Sequence, residues 1–433
     1  LNLKEMNNRI IYIIIVMISF AMFACSSEEN FIPQNRTEEL SHSNYKISPE
    51  EAVSLLSEFL SAKDDYSLSR SMFVPKKHTV LSVEPIRNSI SKTRAGSESE
   101  SDWAQQMDTL LYVVNFENNM GYAIVAADKR TEPVIALVDN GSFSIDELQE
   151  GADEGLLSFI DDAIQMEMKD ITEYNQQPDS RTLVSNGYTI SSYYQPILHT
   201  RWAQDDVYGK YCPNKIAGCA IIAAAQILSH FKCLAQVSWS YNGVGGSSVL
   251  HWDRIIADCD QNRGRLIYSD CASSADEVAH LVRYLGSAFD ADYKKESTAT
   301  GESKAIDWFN KWSGLKASKL KDYNETEIVS AIKAGNPVYG RGNAGKKKVL
   351  GIRVGWKDGH AWVFDGMMVA SKDGKTSTLV HCNWGFGGRN DGYYISKAFD
   401  TNAGAVIYDN EGDYQWGDTG NYRYHLQYSI ITR

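Results

Sequence analysis

Hydrophobic residues follow two patterns along the chain: helical spacing, which predicts helices, and short continuous runs, which predict strands. After Ser48-Pro49-Glu50-Glu51, apolar residues recur at helical spacing; Ser48 suits the N-cap, Pro49 the first helical position and Glu51 the capping box. Short apolar runs predict strands, and a longer amphipathic pattern predicts a second helix. The strands are predicted at Leu110–Phe116, Tyr122–Ala127 and Val134–Val138, and the second helix at Gly155–Tyr174. We therefore expect residues 45–177 to form a small α+β domain.

A polar break, with a linker at residues 178–186, separates this domain from a second region at residues 187–433. Helical patterns come first in the second region, and strand patterns follow them. These patterns include Ala275–Leu285, Glu325–Ala334 and the final strand His425–Thr432. Helices followed by strands favour an α+β fold over an alternating parallel sheet.

The N-terminus resembles an export signal. Residues 1–25 contain a short positive region and the apolar run Ile10–Phe23, and they end at Ala24-Cys25, as in bacterial lipoprotein signals. This resemblance implies lipid attachment at Cys25, a polar tether at residues 26–44, and an outer-membrane or cell-surface location from which the mature protein could be released. An uncleaved anchor helix and a plain secretory signal are the alternatives.

Composition narrows the function further. The formal net charge of −12 argues against nucleic acid as a partner. The cysteines other than Cys25 form no C-x-x-C motif, so a zinc ribbon and a thioredoxin motif are both unsupported. Export would permit a disulfide between Cys259 and Cys271, and the sequence leaves that pairing open. No motif calls for a metal or another cofactor.

One cysteine stands at the start of an almost wholly apolar helix. In Lys215–Phe231 (KIAGCAIIAAAQILSHF), Gly218 can form the entry turn and Cys219 falls in the first helical turn. The positive end of a helix stabilises a thiolate and can lower a cysteine pKa from about 8.5 to about 3.5–7.5. Cys219 is thus a candidate nucleophile, and the alternative is a cysteine that only fills space in the core.

A thiolate nucleophile needs a base, and three histidines compete for that role. His230 is eleven residues along the same helix from Cys219, about 16 Å away, so a continuous helix excludes it. His360 stands between a loop and a buried strand, 141 residues after Cys219. His381 is the third, on the strand that leads to Asn383-Trp384. Asn383, or a backbone carbonyl beside it, could orient the His360 imidazole, and Trp384 could shield that hydrogen bond.

Five segments together resemble the streptopain family of papain-clan cysteine peptidases. They are LHTRWAQDDVYGKYCP (198–213), GCAIIAAAQIL (218–228), PVYG (337–340), GHAWVFDG (359–366) and NWGFGGRNDGYY (383–394). The stretch LYVVNFENNMGYAIVAADKRTEPVIALVDNGSF (111–143) is similar to the inhibitory propeptide of these proteins. The resemblance implies a papain-like peptidase at 187–433, with a helical half carrying the cysteine and an antiparallel β half carrying the histidine. It also implies that residues 45–177 form the propeptide domain.

The resemblance also assigns roles to individual residues. It implies that Cys219 is the nucleophile, that His360 is the general base and later acid, and that Gln204 is the side-chain donor of the oxyanion hole. Asn383 and Trp384 are the candidates for orienting His360. Gly359 and Ala299, in the loop Ser297–Gly301, are expected to contact substrate.

The expected function is that of an exported or surface-tethered cysteine endopeptidase made as a zymogen. Its partners would be protein or peptide substrates, its own propeptide as an intramolecular inhibitor, and the membrane through a lipid on Cys25. Two alternatives remain: a papain-clan amidase or acyltransferase, and a catalytically inactive surface lipoprotein that binds a partner.

Overall fold

The computed structural model describes residues 45–70, 77–87, 109–145, 154–176, 187–301, 303–349, 352–399 and 424–433. The predictions for the signal segment 1–25, its Cys25, the tether 26–44 and the linker 178–186 lie outside these residues. Within the described ranges, no helix is long and apolar enough to cross a membrane.

The N-terminal domain packs a helix on each face of an antiparallel sheet. Helix α1 begins at the predicted cap: the Ser48 hydroxyl accepts from the Glu51 N–H, and the Glu51 carboxylate accepts from the Ser48 N–H. The strands alternate sides, so that Tyr112 and Val114 face the α1 core while Leu111 and Val113 face the α2 core. The elements are α1 (Pro49–Ser69), β1 (Val80–Arg87), β2 (Thr109–Phe116), β3 (Tyr122–Ala126), β4 (Val134–Val138) and α2 (Glu154–Gln176).

The three predicted strands and the second helix are confirmed to within two residues at each end, and the first helix begins where it was predicted. The local signals were strong here because the strands are fully buried apolar runs and the first helix carries a complete capping box. Strand β1 was not predicted, and its mostly half-buried residues show no clean alternation.

The helices of the second region precede its long C-terminal strands, as expected, but seven of the described strands, each of two to six residues, lie before or between the helices. Its helices are α3 (Cys219–Phe231), α4 (Trp252–Gln261), α5 (Tyr268–Ala288), α6 (Lys304–Trp312) and α7 (Glu325–Lys333). Its strands are β5 (Thr189–Tyr194), β6 (Gln236–Tyr241), β7 (Val244–Val249), β8 (Asp292–Tyr293), β9 (Thr298–Ala299), β10 (Lys316–Ala317), β11 (Lys321–Asp322), β12 (Val338–Val349), β13 (Ile352–Lys372), β14 (Lys375–Asn383), β15 (Gly392–Ile395) and β16 (Tyr424–Thr432).

A single antiparallel sheet runs through both regions. Its main path is β1-β2-β3-β4-β15-β14-β13-β12-β16-β10, and β5 and β11 pair with β13 and β16. Strand β4 joins β15 in the register Val138↔Gly392, Leu137↔Tyr393 and Ala136↔Tyr394. The strands of the N-terminal domain therefore extend the sheet of the second region, and they join it along β15.

The helical half of the second region packs on one face of this sheet. Residues of α3 to α6 share a buried core with Tyr339, Ala361 and Val363 from strands β12 and β13. This arrangement confirms the predicted α+β fold, with a helical half that begins at Cys219 and an antiparallel half that contains His360. Cys259 and Cys271 are both free thiols.

Candidate active site

Cys219 is the first residue of the buried helix α3. The preceding Gly218 has a φ of +95°, and a side chain there would meet the Thr298 carbonyl oxygen at 3.0 Å. Glycine is needed at this position, both for the positive φ and for the close approach of the loop containing Ala299. Residues Ala220–Ser229 of the helix are all buried, so the helix has little freedom to move the cysteine.

Burial and local dipoles act in opposite directions on the Cys219 thiol. Burial raises its pKa, and the backbone N–H groups of Ala361 and Ala220 and the charge of Arg341 oppose that rise. Arg341 lies directly opposite Ala361 in the β12–β13 pair. In the intact chain burial prevails, and the thiol is protonated at neutral pH.

Gln204 lies beside the start of this helix. Its backbone carbonyl accepts a hydrogen bond from the Ala217 N–H at 2.6 Å, two residues before Cys219. This bond fixes the Gln204 backbone near the nucleophile, and the Gln204 residue is partly exposed.

His360 is held by the loop that follows β14. Its Nε2 donates a hydrogen bond to the Trp384 carbonyl at 2.9 Å. The Phe386 ring stacks on the imidazole, with centroids 5.0 Å apart and planes within 5° of parallel. Because a carbonyl only accepts, Nε2 carries the proton in the neutral ring and Nδ1 carries the basic lone pair.

The intact chain holds the candidate pair in its uncharged form. His360 is 5 % exposed, and burial lowers its pKa to about 4, although the bond to the Trp384 carbonyl opposes this shift. Among the described contacts no hydrogen bond joins His360 to Cys219. At neutral pH both groups are therefore neutral.

Asn383 makes its side-chain contacts away from His360. Its Nδ2 donates to the Thr200 carbonyl at 2.7 Å, and its Oδ1 accepts from Gln226 Nε2 at 3.0 Å. Gln226 Oε1 in turn accepts from the Trp202 N–H at 2.9 Å. In this structure the Trp384 carbonyl contacts the imidazole, and the Asn383 amide ties α3 to the loop before it.

Trp384 sits in an aromatic cluster next to His360. Its ring centroid is 5.0 Å from that of Trp362 and 5.6 Å from that of Tyr394, and the residue is 3 % exposed. Its backbone N–H donates to Asp391 Oδ1 at 2.9 Å. Gly359 is exposed immediately before His360, where a substrate backbone could approach.

The other two histidines occupy different surroundings. His230 lies at the far end of the continuous helix α3, between the carbonyls of Ile197 and Gly335. His381 is 1 % exposed and contacts Asp365 through Nδ1 at 2.6 Å and Asp139 through Nε2 at 3.3 Å. Burial opposes the charge of His381, but these two carboxylates outweigh it and raise its pKa to about 10. An imidazole that is charged at neutral pH and engaged at both nitrogens is a poor general base.

Sequence reasoning missed four residues that support the site: Gln226, Phe386, Asp391 and Arg341. Gln226 had a readable signal, because it is the one strongly polar side chain between Ala220 and Leu228. Phe386 and Asp391 lie inside the quoted segment NWGFGGRNDGYY without an assigned role. Arg341 directly follows the segment PVYG.

Comparison with known proteins agrees with this geometry. Residues 202–394 match the model of the Peptidase C10 family, and residues 44–165 match that of the Spi protease inhibitor. Over residues 202–394 the chain belongs to the streptopain (C10) family of cysteine peptidases. The chain is therefore a cysteine peptidase of the streptopain family, and its peptidase region follows a domain of the inhibitor type.

Individual relatives of this streptopain-family chain are distant in sequence. Streptopain from two strains of Streptococcus pyogenes is in each case 23 % identical over 326 residues, which covers 68 % of this chain and 75 % of the relative. A solved fragment of prointerpain A from Prevotella intermedia is 17 % identical and covers 82 % of this chain and 98 % of that fragment, with a TM-score of 0.49.

Proposed function

We propose that the chain is an exported cysteine endopeptidase, made as a zymogen, that hydrolyses peptide bonds in proteins through an acyl-enzyme on Cys219. One observation carries the proposal: Cys219 begins a buried helix, and its thiol meets the backbone N–H of Ala361, the residue after His360, whose Nε2–H is held by the Trp384 carbonyl. A cysteine at a helix N-terminus and an imidazole with one nitrogen engaged are the two parts that thiol acyl transfer needs.

The proposed reaction uses the imidazole twice. Nδ1 of His360 takes the proton of Cys219, and the sulfur attacks the substrate carbonyl carbon. The negative oxygen of the tetrahedral intermediate accepts from the Cys219 N–H and the Gln204 side-chain amide. His360 then gives its proton to the leaving amine, and it later takes a proton from the water that hydrolyses the thioester.

The charge state of the pair supports latency of the intact chain. An active thiolate–imidazolium pair needs a lowered thiol pKa and a raised imidazole pKa. In the intact chain burial acts in the opposite sense on both groups, raising the pKa of Cys219 and lowering that of His360 to about 4. Cleavage between the two domains, followed by departure of the N-terminal domain, would open the site to water and favour the charged pair.

The decisive experiment compares Cys219→Ala with the parent in the full chain. The parent is expected to cut itself between residues 176 and 187 and then to degrade casein, and a thiol-directed inhibitor should stop both events. Cys219→Ala should do neither, while Cys271→Ala, which removes a thiol from α5, should match the parent. N-terminal sequencing of the product locates the cut.

The same preparations separate the alternative activities. Hydrolysis of peptidoglycan fragments or transfer to amine acceptors, without cleavage of casein, would contradict the endopeptidase assignment. Casein cleavage by Cys219→Ala at the parent rate would contradict the role of Cys219.

We also propose that the chain is tethered to the cell surface by lipid on Cys25. The support is the sequence pattern of residues 1–25. Expression of the full chain in a Gram-negative host with labelled palmitate should label the parent and leave Cys25→Ala unlabelled. Equal labelling of both chains would contradict the proposal.

A further inference from the structure

Trp384 is held from both sides of its backbone. Its carbonyl accepts from Nε2 of His360 at 2.9 Å, and its N–H donates to Oδ1 of Asp391 at 2.9 Å. Asp391 thereby fixes the peptide plane between Asn383 and Trp384. The φ and ψ rotations of Trp384 separate the two hydrogen bonds, and the packing of its ring against Trp362 and Tyr394 restricts both rotations.

The loop after Trp384 needs such an anchor. Gly385, Gly387 and Gly388 all have positive φ values, of 78°, 70° and 85°. Glycines in this region of backbone space have many alternatives and give a turn little stiffness of its own. The turn is tied by the Gly387 N–H to the Trp202 carbonyl at 3.1 Å, and at its beginning by Asp391.

Stability alone does not explain a carboxylate at this place. Asp391 is 0 % exposed, and its Oδ2 has no hydrogen-bond partner among the described protein groups. A buried carboxylate oxygen without a partner costs folding free energy, so this side chain does not maximise the stability of the chain at its position. The orphaned oxygen therefore points to a use for the other one.

The charged groups around Asp391 come from three elements of the fold. Arg201 precedes α3, His381 lies on β14, and Asp365 lies on β13. Burial raises the pKa of Asp391 to about 7, although Arg201 and His381 oppose the rise. The N-terminal domain also reaches this residue, because the Asp139 N–H donates to the Asp391 carbonyl at 2.9 Å.

We propose that Asp391 is a positioning residue for the peptidase reaction: by holding the Trp384 N–H, it fixes the carbonyl that orients His360. The inference rests on the proposed roles of Cys219 and His360. When Asp391 is truncated, the Trp384 carbonyl can turn away, and the imidazolium loses the acceptor for its Nε2–H. The thiolate–imidazolium pair should then be less stable, and less Cys219 should be ionised at acidic pH.

The test compares Asp391→Ala and Asp391→Asn with the parent. Each is made as the full chain and processed by a trace of tagged parent enzyme, which is then removed. For Asp391→Ala we expect kcat on a casein-derived peptide to fall about 10–100-fold, with KM within about 3-fold. The pH midpoint for iodoacetamide alkylation of Cys219 should rise by about 1 unit. Asp391→Asn keeps a side-chain acceptor and should hold kcat within about 3-fold of the parent.

The controls separate positioning from folding. Ser396→Ala removes a buried hydroxyl next to β15, one that hydrogen-bonds only to Tyr323 in the described structure, and should leave kcat and the alkylation midpoint unchanged. Thermal unfolding shows whether each variant is folded. If Asp391→Ala is not, a folded Asp391→Asn with kcat reduced about 100-fold would overturn the proposal by itself.

Failure of the proposal and failure of the proposed function look different. An active Cys219→Ala enzyme would refute the proposed function. An inactive Cys219→Ala beside a folded Asp391→Ala that retains the parent kcat, or the parent alkylation midpoint, would refute the role of Asp391.

Discussion

Oδ2 of Asp139 lies 3.3 Å from Nε2 of His381, although 242 residues separate them along the chain. The same oxygen accepts from Nη2 of Arg201 at 2.7 Å. Asp139 directly follows the last strand of the N-terminal domain, and both of its partners belong to the peptidase domain. One carboxylate thus joins the two domains by two charged contacts, beside the loops that carry Gln204 and Trp384.

Replacing Asp139 by Asn should loosen the N-terminal domain and speed self-processing. The change leaves His381 and Arg201 with less negative charge to balance them. Asp139 is partly buried, so the cost should lie between the about 0–1 kcal/mol of an exposed ion pair and the about 3 kcal/mol of a buried one. In a Cys219→Ala background, which prevents cleavage, Asp139→Asn should lower the thermal midpoint of the full chain. In the active background it should shorten the half-life of the precursor.

A carboxylate elsewhere in the same domain provides the control. Glu51 is exposed and pairs with Lys129 at 3.1 Å, within the N-terminal domain. Such surface pairs are worth about 0–1 kcal/mol, so Glu51→Gln should leave the precursor half-life nearly unchanged. Equal half-lives for Asp139→Asn and the parent would show that the contact does not restrain processing.

The stability of the intact chain should fall as the pH rises from neutral towards 10. The pKa of His381 is raised to about 10 from an ordinary value near 6.5, so its charge stabilises the folded chain fully below pH 6.5. That stabilisation is lost as the pH rises through the folded value. Denaturant unfolding of the Cys219→Ala chain, measured from pH 6.5 to pH 10, should show this loss.

His381→Gln is the comparison for the pH series. It should be less stable than its parent at pH 6.5 and should lose less stability on the way to pH 10. The carboxyl of Asp139 has the opposite pH dependence. His381 and Arg201 outweigh burial and lower its pKa, so the stabilisation that its charge gives the folded chain is lost as the pH falls into the acid range. Parallel curves for His381→Gln and its parent above pH 7 would contradict the charged state of His381.

The sequence predicted those parts of the site that depend on local pattern. The helix that begins at Cys219 and the buried strand residues that follow His360 were predicted from apolar runs. The predicted loop before His360 was wrong, because that segment is part of β13, which begins at Ile352. The sequence did not predict which strands that are distant along the chain pair with each other. The apolar run of β4 indicates that it is buried, but nothing in it selects β15, far along the chain, as its neighbour.

The choice between Asn383 and Trp384 also needed the structure. Both residues lie at the end of β14, and either a side-chain amide or a backbone carbonyl can accept from an imidazole. A backbone carbonyl has no sequence signature. The Asn383 amide is taken by Gln226 and Thr200, and this became visible only with the loop before α3 in place.

Replacing Asn383 by Ala should therefore affect stability more than the chemistry of Cys219. The change leaves the Thr200 carbonyl and the Gln226 amide buried without their partner, and each such group costs about 1–3 kcal/mol. The free energy of unfolding should fall accordingly, while the pH midpoint for alkylation of Cys219 by iodoacetamide stays at the parent value.

A double-mutant cycle sharpens this prediction. Asn383→Leu and Gln226→Leu each leave the other amide without its partner, whereas the double variant removes both amides. Only the Thr200 carbonyl and the Trp202 N–H then lack the partners that these amides provided. The two losses should therefore not add, and the coupling should be about 0.5–3 kcal/mol. A large rise in the alkylation midpoint for folded Asn383→Ala would instead assign the orientation of His360 to this amide.

Truncation of Gln204 should reduce turnover without weakening substrate binding. Removal of one oxyanion donor typically costs about 10²–10³ in kcat, because the interaction forms only as charge develops on the carbonyl oxygen. Gln204 is well suited to this comparison because its backbone carbonyl, at 2.6 Å from the Ala217 nitrogen, keeps the loop in place when the side chain is shortened. Processed Gln204→Ala should show the loss in kcat with nearly unchanged KM.

The neighbouring Asp205 is exposed on the same loop, and Asp205→Ala should behave as the parent. Equal kcat values for Gln204→Ala and Asp205→Ala would leave the backbone N–H of Cys219 as the only proposed donor.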